Sequence, residues 1–369
     1  MFFIEFPFLS ERTKRNIFAF VQLYVILYLI ATKLHLLQIT IYELSTMRIA
    51  FVGKGGSGKT TMSALFSLFI KEKNIPLLVI DADINMHLPE LLGIQEVFPK
   101  EMHISHPDAV KEIKMHLKGS NTRIKELSHF RKTTPPTKES NLISIGNNED
   151  TIIKSFSKRS GDLPLMIVGT YDTDDIGASC YHNNLSIFEN ILSHIADKNE
   201  VVVTDMVAGV DAFANTLHAQ FDLLVLVVEP TKRGLEVFEQ YKELGINAGI
   251  YEHLFVIGNK VRNEIDREFI ENHIPKEKLL GFLGESEYLR TKDQEGGRLD
   301  ISKLEPENLD LLETIFEKLK NSSSNNQERL QKLWDLHRKY VSQDFIKERF
   351  GDLTDHIDES FNFNDYIKE

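Results

Sequence analysis

MRIAFVGKGGSGKTT, residues 47–61, joins an apolar run to a glycine-rich loop and the start of a helix. Its first half is an apolar run closed by Gly53, and TTMSALFSLFIKEK (60–73) spaces its apolar residues for a helix. Between them, Gly53, Lys54, Gly55, Gly56, Ser57, Gly58, Lys59, Thr60 and Thr61 fit the phosphate-loop pattern G-x-x-x-x-G-K-[ST] in its required strand–loop–helix setting. Each residue type has a physical reason to be there. Glycines let backbone N–H groups curl around phosphate oxygens, and the helix that follows presents its positive end. Lys59 can reach the β- and γ-phosphates of ATP, while the Thr60 hydroxyl can ligate Mg²⁺. A glycine-rich turn with an incidental lysine leaves the flanking strand and helix unexplained.

Working outward, PLLVID (76–81), PLMIVGT (164–170), EVVVTDM (200–206), DLLVLVVEP (222–230) and HLFVIGNK (253–260) read as further buried strands. Helical patterns lie between them, as in Leu185, Phe188, Ile191, Leu192 and Ile195. Continuous apolar strands alternating with amphipathic helices predict an α/β fold: a mostly parallel β-sheet with helices on both faces, of the P-loop NTPase kind. The ATPase domain is expected over residues 47–320. Residues 94–150 break the rhythm and read as an insertion or elaborated crossover. They are polar, hold Pro135 and Pro136, and cluster Lys114, Lys118, Arg123, Lys125, Arg131 and Lys132. That basic run over 114–132 fits a solvated helix face better than a nucleic-acid site. NSSSNNQ (321–327) reads as a linker, and residues 321–369 as linker plus a helical, acidic C-terminal tail containing Trp334.

The 369-residue chain is 42% hydrophobic, enough for a sizeable core, and carries 43 basic against 55 acidic side chains, a net charge of −12. That balance argues against a surface devoted to nucleic acid, and no specific nucleic-acid partner is expected. A single cysteine, Cys180, excludes a disulfide framework and any Cys-only metal site within one chain. A reducing, cytoplasmic setting fits best. Residues 1–46 stand apart. IFAFVQLYVILYLIA, from Ile17 to Ala31, has no charge but falls short of the ~20 residues that span a bilayer, and LHLLQITIY can extend it. Two readings stay open: a dispensable leader, with the working protein starting at Met47, or a membrane anchor that moves the protein from cytoplasm to membrane.

Lys54 adds more than the general motif needs. The form K-G-G-x-G-K-T-T resembles the deviant phosphate loop of the MinD/ParA/nitrogenase-iron-protein superfamily, and the resemblance runs from Met47 to about Lys320. In that family the early lysine crosses a nucleotide-sandwich homodimer to the partner's ATP, which the resemblance implies for Lys54. Asp81-Ala82-Asp83-Ile84-Asn85 resembles switch I, where the second aspartate, Asp83, positions the attacking water. Val203 to Gly209 (VTDMVAG) resembles switch II, with Asp205 on the Mg²⁺ shell and the Gly209 N–H sensing the γ-phosphate. Asn259-Lys260 resembles the pair that contacts adenine. Simpler readings stay beside these: Asp83 as a helix N-cap, Asp205 as a strand-end carboxylate, Asn259 as a turn residue. Each piece sits at the C-terminal end of an expected strand, the edge where open α/β sheets bind ligands.

Within the superfamily the chain is most similar to the CooC-type nickel-insertion ATPases of carbon monoxide dehydrogenase. DADINMHLPELLG, DMVAGVDAF and GASCYHNNLSIFENIL carry that similarity. Val207 departs from the Glu usual in that branch, and His182 stands where its second Cys would be. The resemblance implies a homodimer serving a protein client, a metalloenzyme. Cys180 and His182, two per dimer, would make a Cys₂His₂ set suited to Zn²⁺ or Ni²⁺ at the dimer interface, with Asp172, Asp174 and Asp175 nearby. The plainer reading is a packed thiol beside a surface histidine. Three functions compete: a metallochaperone-like ATPase, a positioning ATPase on DNA or membrane, and a slow partner-binding switch.

Overall fold

The computed structural model describes residues 45–170, 184–196, 198–209, 213 and 216–365. The strands are β1 (Met47–Gly53), β2 (Leu77–Ala82), β3 (Ser157–Ser160), β4 (Leu163–Ile167), β5 (Val201–Met206), β6 (Leu223–Val228), β7 (Leu254–Val261) and β8 (Leu279–Gly284). The helices are α1 (Lys59–Glu72), α2 (Leu88–Leu91), α3 (Pro107–Lys118), α4 (Thr151–Phe156), α5 (Leu185–Ser193), α6 (Lys232–Ala248), α7 (Glu264–Glu271), α8 (Glu287–Glu295), α9 (Pro306–Ser322), α10 (Asn326–Val341) and α11 (Asp344–Phe350).

The strands form one sheet in the order β3-β4-β2-β5-β1-β6-β7-β8. All pairings are parallel except β3 with β4, a hairpin at one edge. β1 is central, with Ile49 opposite Val203 of β5 and Leu223 of β6. The chain leaves β1 toward one side of the sheet, returns through β5, and continues with β6 on the other. That reversal opens a crevice at the strands' C-terminal ends.

Burial alternates along β1 as a two-sided sheet requires. Ala50 and Val52 join a core with Ile113, Phe188, Ile191 and Phe238, under α3, α5 and α6. Ile49 and Phe51 join the opposite core with Leu65, Phe66, Leu312 and Ile315, under α1 and α9. Helices therefore cover both faces, as the apolar runs predict.

The chain after β8 is tied down by a buried ion pair. Arg329 Nη2 lies 3.2 Å from the Asp222 carboxylate, whose other bonds come from the Arg48 N–H at 2.9 Å and the Ser324 N–H at 3.0 Å. Helices α9 and α10 take up most of the serine- and asparagine-rich stretch, leaving Ser323 to Asn325 between them. The tail also packs on the 94–150 region. His337 Nδ1 is 3.1 Å from Thr133 Oγ1, the Arg131 guanidinium lies 4.2 Å over the Phe350 ring, and Arg123 pairs with Asp358 at 3.5 Å.

At that junction the buried His337 and His356 rings stack 5.6 Å apart. Burial, with His337 and His129 adding to it, pushes the His356 imidazole down to about 4. Burial also holds His337 below the ordinary histidine range, against its bond to the Leu353 carbonyl. Unfolded histidine titrates at about 6.5, so the unfolded chain takes up these protons first as pH falls. The stability carried by the two neutral rings is complete above that pH and is lost on acidification toward the folded values. A urea-midpoint series from about pH 7.5 to 4.5 should show a shallower acid slope for His356→Gln than for wild type, by up to one proton. Identical slopes would show that the stack is not what titrates.

Candidate functional site

The loop between β1 and α1 is held by contacts from other segments. Gly53 (φ 151) and Gly58 (φ 96) adopt backbone angles that side chains avoid. A Cβ on Gly53 would also lie 2.8 Å from the Val227 carbonyl, and one on Gly58 would meet the Asn259 amide at 2.1 Å. Three loop carbonyls are engaged by groups from other segments. Gly53 O accepts the Gly209 N–H at 3.2 Å, Gly56 O accepts Lys260 Nζ at 2.7 Å, and Ser57 O accepts Asn259 Nδ2 at 2.7 Å. Tying these carbonyls fixes the backbone of the loop on which N–H groups would meet phosphate.

Inside lies a cleft of about 880 Å³, lined by Gly55, Gly56, Gly58, Lys59, Thr60, Thr61, Asp83, Asn85, Ala208, Asn259 and Lys260 on the phosphate side. Arg262, Gly284, Glu285, Ser286, Arg290 and Asp293 form its far wall. Lys59 is 6% exposed, and its ammonium hydrogen-bonds the Asp83 carboxylate, which is 4% exposed. Asp83 Oδ1 accepts the Asn85 N–H at 3.0 Å and Asn85 Nδ2 at 2.9 Å. Burial alone pushes Asp83 up, but the Asn85 N–H and the Lys59 ammonium outweigh it and hold the carboxyl below its usual range. The next helix begins at Leu88 after His87, so Asp83 does not cap it.

Register places Asp81 opposite Asp205. Burial, with the Asp205 charge adding to it, pushes Asp81 well above the usual carboxylate range. Asp81 accepts the N–H groups of Asp83 at 3.0 Å and Leu88 at 3.2 Å, which shapes the turn carrying Asp83. Asp205 Oδ1 accepts Ser63 Oγ at 3.0 Å, whereas Oδ2 is buried without a hydrogen-bond partner among the described residues. Burial pushes Asp205 up to about 6, against the pull of Lys59 and the Thr60 hydroxyl beside it. A buried carboxylate beside the Thr60 hydroxyl, with one oxygen lacking a partner among the described residues, fits a hard cation such as Mg²⁺.

Residues 49–299 match the CobQ/CobB/MinD/ParA nucleotide binding domain. The chain belongs to that family. An uncharacterized ATP-binding protein of Methanocaldococcus jannaschii is 27% identical over 281 residues, which is 75% of this chain and 100% of the relative. The carbon monoxide dehydrogenase accessory protein CooC of Rhodospirillum rubrum is 27% identical over 251 residues, 68% of this chain and 88% of that one. The cell division ATPase MinD of Pyrococcus furiosus is 17% identical over 75% of this chain and 99% of its own, with a TM-score of 0.47.

In this MinD/ParA-family chain Gly55, Gly56, Gly58, Lys59, Thr60 and Thr61 line one cleft with Asp83, Asn259 and Lys260, while Lys54 and Ser57 line a small pocket with Glu229, and three details bear on the expected roles. Gly209 is present at the loop, but its N–H is taken by Gly53 and its carbonyl accepts the Tyr241 hydroxyl. Asn259 and Lys260 spend their side chains on the loop itself. Lys54 is exposed and has no ion-pair partner among the described residues. The Cys180–His182 pair, Asp172, Asp174 and Asp175 lie outside the described residues, as do residues 1–44. Among the described residues no group of three His, Cys, Asp or Glu side chains could hold a metal, and no helix is long and apolar enough to cross a membrane.

Ser63, Glu229 and the far wall after β8 escape a reading of motifs. Ser63 sits one helical turn beyond Lys59 on the inward face of α1, a spacing that could have flagged it. The far wall had no such signal, because β8 itself was not legible as a strand.

Proposed function

We propose that this protein is a Mg²⁺-dependent ATPase that works as a nucleotide-switched homodimer and serves as an accessory factor for a metalloenzyme. The observation that carries the reading is the buried Lys59–Asp83 pair inside the phosphate cleft, beside the unpartnered Asp205 oxygen. Family membership supports nucleotide binding, and the similarity to CooC supports the maturation role.

Phosphoryl transfer to water needs positioning and charge stabilisation more than covalent chemistry. ATP would lie on residues 53–61, with Lys59 on the β- and γ-phosphates. Mg²⁺, held by Thr60 and Asp205, would neutralise charge between those phosphates. Asp83 is acidic enough to stay ionised and accepts a hydrogen bond from the attacking water once Lys59 has moved to the phosphates. Gly209 can give its N–H to the γ-phosphate by exchanging it from the Gly53 carbonyl, a swap that links the nucleotide state to switch II. Base contacts fall to Asn259, Lys260 and the wall after β8.

Lys54 is solvent-exposed on the loop, where a side chain can reach the nucleotide of a partner protomer. Lys54→Ala should still bind ATP yet lose about 10³-fold in dimer-stimulated hydrolysis, the scale of a charge supplied in trans. Turnover measured against protein concentration checks this, and wild-type turnover in the variant would remove the cross-dimer role. For the accessory function, ATP-dependent activation of a purified, metal-free client enzyme is the test. Sedimentation with DNA or anionic vesicles in ATP, without any effect on the client, would favour a positioning ATPase.

A further inference from the structure

Glu229 has no part in the chemistry above, yet its carboxylate touches the nucleotide loop's support. Lys260 Nζ bonds the Gly56 carbonyl at 2.7 Å and Glu229 Oε1 at 2.5 Å. Two oxygens from different segments thus share one ammonium. Lys260 takes φ 57, a left-handed conformation that a lysine adopts only when its surroundings demand it. Its own N–H closes that turn on Asn259 Oδ1 at 2.7 Å.

The position of Glu229 is equally determined. It follows β6 and precedes Pro230, and its carbonyl accepts the Thr231 N–H at 2.7 Å. Thr231 then caps α6 by accepting the Gly234 N–H at 3.1 Å. Gly234 has to be glycine, since a Cβ would come within 2.4 Å of the Glu229 carbonyl. The carboxylate is therefore delivered from a fixed turn.

We infer that Glu229 is a positioning residue for the nucleotide loop: it holds the Lys260 ammonium on the Gly56 carbonyl and so fixes how the loop meets the phosphates. The peptide unit is planar and trans, so pinning its carbonyl also fixes the direction of its N–H. Lys260 fixes the carbonyl of the Gly56–Ser57 unit, whose N–H donates to the Lys54 carbonyl at 3.1 Å, and Asn259 fixes the carbonyl of the next unit, Ser57–Gly58. Lys260 is 57% exposed in its side chain, so without the carboxylate its ammonium exchanges the carbonyl for water. The pair adds little to stability, as expected for an exposed ion pair, and its effect falls on loop geometry.

The inference rests on the nucleotide-binding reading, and the test separates the two. ATP and ADP are titrated in Mg²⁺ against the full chain as wild type, Glu229→Gln, Glu229→Asp, Lys260→Met and the Glu229→Gln/Lys260→Met double variant. Losing the charge-assisted bond in Glu229→Gln should weaken both nucleotides about tenfold. KM for ATP should rise by a similar factor while kcat falls much less, because the loop is misplaced and the reacting groups are not. Glu229→Asp should recover part of the affinity. The double variant should be no weaker than Lys260→Met alone, since both changes remove one contact. Wild-type affinity in Glu229→Gln, or losses that add in the double variant, would overturn the positioning role while leaving the ATPase reading intact. A wild-type chain that binds neither nucleotide would overturn both.

Discussion

Lys59→Ala is expected to abolish ATP binding at millimolar nucleotide. Two losses coincide in that one change. The first is the ammonium expected to neutralise the β- and γ-phosphates, which is itself 6% exposed, so that its charge counts for more than one at a surface. The second is the partner of Asp83, which sits nearly inaccessible at 4% exposure and hydrogen-bonds Lys59 directly. Removing one member of a buried pair costs about 3 kcal/mol, because the other charge is left in place. The bonds from Asn85 soften this without cancelling it. Nucleotide-free Lys59→Ala should therefore unfold at lower urea than wild type, and ATP should not raise its midpoint. Calorimetric titration of ATP reads the first effect and urea denaturation the second. ATP binding at wild-type affinity would show that the cleft recognises nucleotide by some other cation.

How much of this was legible in sequence follows from how local each feature is. The phosphate loop is nine contiguous residues whose chemistry is complete within the segment, and it is read without knowledge of the fold. Asp83 and Asp205 are legible because strand ends are, and each apolar run of β2 and β5 points to its own carboxylate. What those carboxylates touch was not legible. That Asp81 stands opposite Asp205, and that Asp83 holds Lys59, depends on register between strands far apart in sequence. The two strands that escaped notice have physical reasons for it. β3 reads SKRS, a polar edge strand joined to β4 by the Gly161–Asp162 turn. β8 reads LLGFLG, with Gly281 at φ 149 and a slipped register against β7, so neither alternation nor a continuous β-branched run marks it. Losing β8 hid the cleft's far wall with it. Lys260 and Glu229 are 31 residues apart, and nothing in either neighbourhood announces the other.

Tertiary structure also gives Asn259 contacts beyond the expected one. The family resemblance implies a base contact, while the structure spends its amide on the Ser57 carbonyl and its carbonyl oxygen on the Lys260 N–H. Both roles are compatible in sequence and differ in geometry. The loop is preorganised by its tied carbonyls, while the Lys59–Asp83 pair is occupied and ATP has to open it. Binding therefore competes with an internal ion pair, and removing the competitor has a consequence of its own.

Asp83→Ala should stop turnover and at the same time tighten ATP. Asp83 is the cleft carboxylate that bonds Lys59, so its loss removes the group that orients the attacking water. Hydrolysis should fall by about 10²–10⁴-fold, the usual contribution of such a group. In wild type, nucleotide-free Lys59 is satisfied by Asp83, and ATP gains only the difference between that partner and the phosphates. In the variant the buried ammonium has no carboxylate partner until ATP arrives, so the nucleotide-free state rises in energy while the bound state does not. Affinity for ATP should increase by about tenfold, equivalent to about 1.4 kcal/mol. The rise in unfolding midpoint on adding ATP should exceed that of wild type for the same reason. Tighter binding without turnover would hold the protein in its ATP form, visible by light scattering as a mass that stays doubled in ATP. Asp83→Asn, which keeps a hydrogen-bonding side chain but no charge, should fall between the two in affinity and match Asp83→Ala in turnover. If both variants bind ATP more weakly than wild type, the Lys59–Asp83 pair is part of the binding site and not its competitor.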